Sequence, residues 1–165
     1  MLWCFVAKFP EVAQFEREIK AFAEKRLPEE VVKLQRMVSL ELLTRVVDRS
    51  PVDTGRLRAS WQLSINRTSR RVAPYKRAKD TAQQVIDRGK AAISSLPPFS
   101  AVYLSNNIEY LEVIEFGRFD PPNPGPSKDK RPDREGQILV SGGFSTQSPH
   151  GMVRISVAEV LQIVR

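Results

Sequence analysis

The stretch PEEVVKLQRMVSLELLTRVVDRSPVDTGRLRASWQLSIN, residues 28–66, decides the fold class. Its first part sets Val31, Leu34, Val38, Leu42 and Val46 on one stripe and Met37, Leu40, Leu43 and Val47 on an adjacent one. Spacings of three and four are those of a helix with a wide apolar arc. Ser50 and Pro51 stop it, since proline cannot continue the ladder of helical hydrogen bonds. The polar turn SPVDTGRLRASW, residues 50–61, then gives way to alternation: Trp61, Leu63 and Ile65 face one way, Gln62, Ser64 and Asn66 the other. That is the pattern of a half-buried strand. A long helix running straight into a strand predicts an α+β chain, with long N-terminal helices packed on a small, mainly antiparallel sheet, a C-terminal helix and a proline-rich loop or arm.

Upstream, Val12, Phe15, Ile19 and Phe22 recur at helical spacing among charged residues, so an amphipathic helix runs to about Leu27. Pro28 suits a first helical position, and Glu29 and Glu30 complement the helix dipole. A second helix, or a kinked continuation, is expected from there to Arg49, about 33 Å long. Its wide arc is explained either by the sheet and the first helix covering it or by contact with a neighbouring subunit. The apolar opening, residues 1–9, is far shorter than the ~20 residues of a membrane span and reads as a packed terminal segment. No membrane partner and no targeting signal is indicated, which makes the cytoplasm the default compartment.

Downstream, residues 67–79 form a basic, irregular loop. Asp80 with Gln83 gives a capping-box signature, and Val85, Ile86, Gly89, Ile93 and Leu96 supply a helical face ended by Pro97 and Pro98. Residues 100–105 read as a strand; Asn106 and Glu109 then cap a helix through Tyr110, Leu111 and Ile114 to Gly117. Residues 118–136, studded with prolines, predict an exposed loop or arm. A strand at residues 137–140, a turn at Gly142 and Gly143 and a closing helix over residues 152–164 follow, although Val153, Ile155 and Val157 also alternate as a strand would.

The length of 165 residues fits a single domain. Lys and Arg number 26 against 19 Asp and Glu, a formal charge of +7, which favours nucleic acid, an anionic surface or an acidic protein ring as partner. A single Cys4 excludes an intrachain disulfide, and a single His150 excludes the usual zinc sets. Cys4 reads as a buried inert thiol and His150 as a loop histidine without a nucleophile elbow. No phosphate-binding glycine loop occurs, and no cofactor is indicated. Glu109, Glu112 and Glu115, three residues apart, could gather a divalent cation, but such spacing better marks a solvated face.

Three stretches carry a family resemblance: PVDTGRLRASW at residues 51–61, VYLSNNIEYLEVIEFG at 102–117 and QSPHGMVRISVAEV at 147–160. In this order they resemble the neck and tail-completion, or head–tail joining, proteins of tailed bacteriophages, of the minor tail protein Z type. The resemblance implies a non-enzymatic structural virion protein at the head–tail junction, assembled in the host cytoplasm. Its implied partners are copies of itself in a ring, neighbouring head-completion, tail-terminator or tail-tube proteins, and non-specific contact with packaged DNA. A small basic DNA-binding or packaging accessory protein is the alternative.

Within that frame, Thr54, Gly55, Leu57, Trp61, Tyr110, Gly117 and Gly151 are expected to build the structural motif. Asp53 or Thr54 caps the turn, Gly55 permits it, and Leu57 and Trp61 anchor it in the core. Asp53, Arg56, Arg58, Glu112, Glu115 and Arg118 are the expected assembly interface, with Arg56 and Arg58 free to pair with acidic neighbours and Glu115 available to arginines of the next subunit. Arg67, Arg70, Arg71, Lys76, Arg77 and Lys79 are expected to contact DNA or an acidic partner.

Overall fold

The computed structural model of the protein describes residues 10–52, 54–74, 81–117, 148 and 150–164. The expected segments at residues 1–9, 75–80 and 118–147 lie outside them, as does Asp53.

The described residues begin with one continuous helical rod: α1 (Pro10–Ala21), a π-helical turn (Phe22–Arg26) and α2 (Leu27–Arg49). Of the two expected forms, the chain takes the continuation. Arg26 and Leu27 keep right-handed helical dihedrals, and the Leu27 N–H bonds to the Phe22 carbonyl five residues back. Pro28 is the cause, because it lacks an N–H and its ring crowds the carbonyl four residues earlier; a turn wider by one residue relieves that conflict without breaking the rod. The first helix therefore does not fold back to cover the second, correcting one of the two explanations of the wide arc. No residue of α1 is buried, and α2 buries only Leu43, Val46 and Val47 near its C-terminal end.

The body of the α+β fold sits at that end. After α3 (Arg56–Ala59), strand β1 (Gln62–Ile65) pairs antiparallel with β2 (Val102–Ser105), Gln62 opposite Ser105 and Ile65 opposite Val102. Between the strands, α4 (Ala82–Ala92) packs on α2, with Gly89 against Leu43. Its cap lies one residue later than the sequence suggested. Thr81 and Gln84, rather than Asp80 and Gln83, form the reciprocal box: the Thr81 hydroxyl accepts from the Gln84 N–H (3.2 Å), and the Gln84 side-chain carbonyl accepts from the Thr81 N–H (2.8 Å).

Helices α5 (Leu111–Phe116) and α6 (Val153–Val164) complete the order. Asn106 does not cap α5 as expected. Its carbonyl accepts from the Ile108 N–H in a local turn while its amide donates to the Leu57 carbonyl (3.0 Å), and α5 begins later, after Tyr110. The closing segment is helical: Met152, Ser156 and Val160, four apart, are its buried residues, so the helical period prevails over the short alternation. Gln62, expected on the open face of β1, is buried beneath residues 69–71. It donates to the Arg71 carbonyl (2.9 Å) and accepts from the Ser69 hydroxyl (2.8 Å).

The core joins Leu43, Val46 and Val47 of α2 to Leu57, Trp61, Leu63, Val85, Ile93, Ile108, Ile114 and Met152. Truncating a fully buried leucine leaves a cavity, whereas an exposed phenylalanine leaves none. In urea unfolding of the dilute, monomeric chain, Leu43→Ala is expected to lose about 3 kcal/mol and Phe15→Ala less than about 0.5 kcal/mol; equal losses would show that α1 is packed within its own chain.

Candidate functional site: a junction closed on Glu115

The turn at Thr54 and Gly55 is built to receive the end of α2. Gly55 adopts φ 78°, a left-handed conformation that glycine enters without the Cβ penalty. From there the chain enters α3, with the Thr54 hydroxyl accepting from the Arg56 N–H at 3.4 Å. Leu57 and Trp61 are buried as expected. The Trp61 indole N–H donates to the Ser50 hydroxyl (2.8 Å), which donates to the Val46 carbonyl (2.8 Å). Arg58 donates from Nε to the Val47 carbonyl (3.2 Å) and from Nη2 to the Ser50 carbonyl (3.4 Å). A cation there satisfies the open carbonyls of α2 where the helix dipole is negative.

Arg56 is only 7 % exposed; its Nε donates to the Ala73 carbonyl (3.1 Å) and its Nη1 lies 3.6 Å from Glu109. The expectation that Arg56 and Arg58 are left free for acidic neighbours is thus corrected. Both are spent on internal bonds, because the short turn directs them back onto α2 and residue 73.

Glu115 is corrected in the same sense. It does not share a solvated face with Glu109 and Glu112, which are exposed; it is 5 % exposed and points at the start of α6. One carboxylate oxygen accepts from the Met152 N–H (2.7 Å) and the Val153 N–H (2.9 Å), the other from the Arg154 N–H (2.9 Å). Those are N–H groups that a helix start leaves without partners, and the dipole adds attraction for the negative charge. The arginine it meets belongs to its own chain: Arg154 Nε lies 3.3 Å from the carboxylate, Nη2 donates to the Glu115 carbonyl (2.8 Å), and the guanidinium lies over the Phe116 ring at 5.1 Å.

Gly117 ends α5 at φ 65°. Gly151 stands at φ 81°, and a Cβ there would sit 2.6 Å from the Glu115 carbonyl oxygen, inside any permitted contact. With Glu115 turned inward, the three glutamates do not converge, and among the described residues no group of three or more His, Cys, Asp or Glu is placed to hold a metal ion.

A second clamp, absent from the sequence reading, fixes α6 along α2. Glu159 accepts from Arg49 Nη2 at 2.8 and 2.9 Å and bonds Arg45, which also holds Glu41; Arg49 Nη1 donates to the Ser156 hydroxyl at 3.1 Å. Partial desolvation works to raise the Glu159 pKa, but the bonds from Arg45 and Arg49 outweigh it and hold the group below its ordinary value of 4.5. Arg45 and Arg49 lie one turn apart on α2, which was the available signal; the partner 110 residues on was not.

Of the remaining expected site residues, Tyr110 precedes α5 at its N-terminus and is partly exposed. Arg67 and Arg70 are exposed around an open depression with Ser64, Thr68 and Ser69, and Arg71 is exposed nearby. Lys76, Arg77, Lys79 and Arg118 lie outside the described residues. The geometry defines an α+β body, locked by a buried carboxylate on a helix start, with a long and mostly uncovered helical rod. No protein family, curated protein or solved structure matches this chain.

Glu115→Ala is expected to lose about 3 kcal/mol, since it strands buried N–H groups, and Gly151→Ala about 2 kcal/mol or more from the positive φ and the clash. Thermal or urea unfolding measures both, and a loss under about 0.5 kcal/mol in either would remove that residue from the junction.

For Glu159, a lowered folded pKa makes its contribution complete above its ordinary pKa and lost as pH falls through the lowered value. Wild-type stability should therefore fall more steeply than that of Glu159→Gln over roughly pH 5 to pH 3. Parallel pH profiles would show that the clamp contributes no net pairing.

Proposed function

We propose that the protein is a structural head–tail joining component of a tailed phage or prophage, positioned at the neck or tail-completion site and acting by adhesion to copies of itself and to neighbouring virion proteins. One observation carries this reading. The three stretches that resemble the joining family, far apart in sequence, meet in one bonded unit: Asn106 of the second reaches Leu57 of the first, and Glu115 of the second closes on residues 152–154 of the third. The junction is thus built from the same residues that carry the resemblance.

The rest of the molecule suits such a role. The body is small and closed at the junction by the bonds of Glu115, Arg56 and Arg58, while the rod leaves Val12, Phe15, Ile19 and Phe22 at 44–62 % exposure. Exposed apolar residues in a row are surface for another protein. In a ring or on a platform, repeated modest contacts add by multiplicity rather than through one deep pocket. With Arg56, Arg58 and Glu115 committed internally, the contact surface of this reading moves from the turn to the rod, and the exposed Arg67, Arg70 and Arg71 are left for acidic partners or DNA phosphates.

Electron microscopy of particles made with and without the gene tests the proposal. Loss of the protein should leave filled heads and finished tails unjoined, and the wild-type particle should carry density for it at the neck. Complete infectious particles lacking the protein would overturn the reading. Salt-sensitive binding to duplex DNA with no incorporation into particles would replace it by the DNA-accessory alternative.

A further inference from the structure

The π-helical turn has a geometric effect on the rod. In an unbroken α-helix the α1 stripe of Val12, Phe15, Ile19 and Phe22 would continue at positions 26, 29 or 30 and 33, where Arg26, Glu29, Glu30 and Lys33 stand. One extra residue in the turn makes every later residue take the angular place of the one before it. The stripe then continues through Leu27 and Leu34, both also exposed. The insertion joins two apolar stripes into one line over residues 12–34, about 33 Å long.

The charges beside this line are divided. Residues 10–18 carry Glu11, Glu16 and Glu18 against Arg17, net −2; residues 19–27 carry Lys20, Lys25 and Arg26 against Glu24, net +2. A parallel pair of such helices sets like charge on like. An antiparallel pair, crossing near Ile19, sets each acidic half on a basic half while the apolar lines face each other.

We propose that the rods of two copies of this chain pair antiparallel through the part of the stripe from Val12 to Leu27, giving a two-fold dimer of the free protein. The charge division selects the second copy as occupant, because the surface is complementary to itself under a two-fold axis. The pairing rests on the rod alone and stands whether or not the protein belongs to a virion.

Sedimentation equilibrium of the full chain tests it. The wild type should be dimeric at micromolar concentration, and Phe15→Glu with Phe22→Glu should raise the dissociation constant at least about tenfold. No residue of α1 is buried, so the thermal unfolding of the monomeric body serves as the control that the variant folds.

A charge exchange reads the orientation. Glu11→Lys, Glu16→Lys and Glu18→Lys together should weaken the dimer about tenfold or more, and adding Lys20→Glu, Lys25→Glu and Arg26→Glu should restore it. A wild type that stays monomeric at about 100 µM, a dimer indifferent to Phe15 and Phe22, or a double exchange that fails to restore pairing would each overturn the proposal.

Discussion

A carboxylate removed from water must be answered by hydrogen bonds or opposite charge, and in this protein Glu115 is answered by the first turn of α6. The two needs are mutual. The helix start has N–H groups with no internal partner, and the acid has lone pairs with no water. Once joined, they fix where α6 begins. The helix then runs along α2, where Glu159 meets Arg45 and Arg49 and where Met152 and Val160 are buried. The core between α2, α4, the two strands and Ile114 is closed by that placement.

The parts legible in the sequence were those set by local period and local backbone demand. The α2 stripe, the strands over residues 62–65 and 102–105, the burial of Leu57 and Trp61 and the left-handed glycines at 55 and 117 all follow from neighbours a few residues apart. Partnership was the illegible part. Glu115 sits at helical spacing from two exposed glutamates, and nothing within a turn of it reveals that its bonds run to residues 152–154. Arg56 and Arg58 looked free for the same reason: charge in a turn reads as surface, while their acceptors are carbonyls of residues 73, 47 and 50. The π-helical turn did leave a trace. The apolar stripe breaks at Arg26 and resumes one residue late at Leu27, which an assumed strict α-period reads as a helix boundary.

The molecule divides its labour along one helix. The C-terminal end of α2 is core, with three bases of packing, capping and ion pairing brought to it by α3, α4 and α6. Further towards its N-terminal end, α2 is tied to the body where Gln35 and Arg36 donate to the carbonyls of Ser100, Ile93 and Ser94. Substitutions along α1 therefore leave the core untouched, and those beyond about residue 40 act on whether the chain folds.

Residues on both sides of 118–147 answer to one carboxylate: Glu115 lies two before Gly117, where its helix ends, and its bonded residues begin at Met152, four after Ser148. The two flanks are clipped together there. Closing a longer connection costs only about 0.6 kcal/mol for each doubling of its length, so this is the place where inheritance can lengthen, trim or exchange the chain while the hinge-pin beneath stays put. It offers an engineer the same socket for a tag or a grafted epitope.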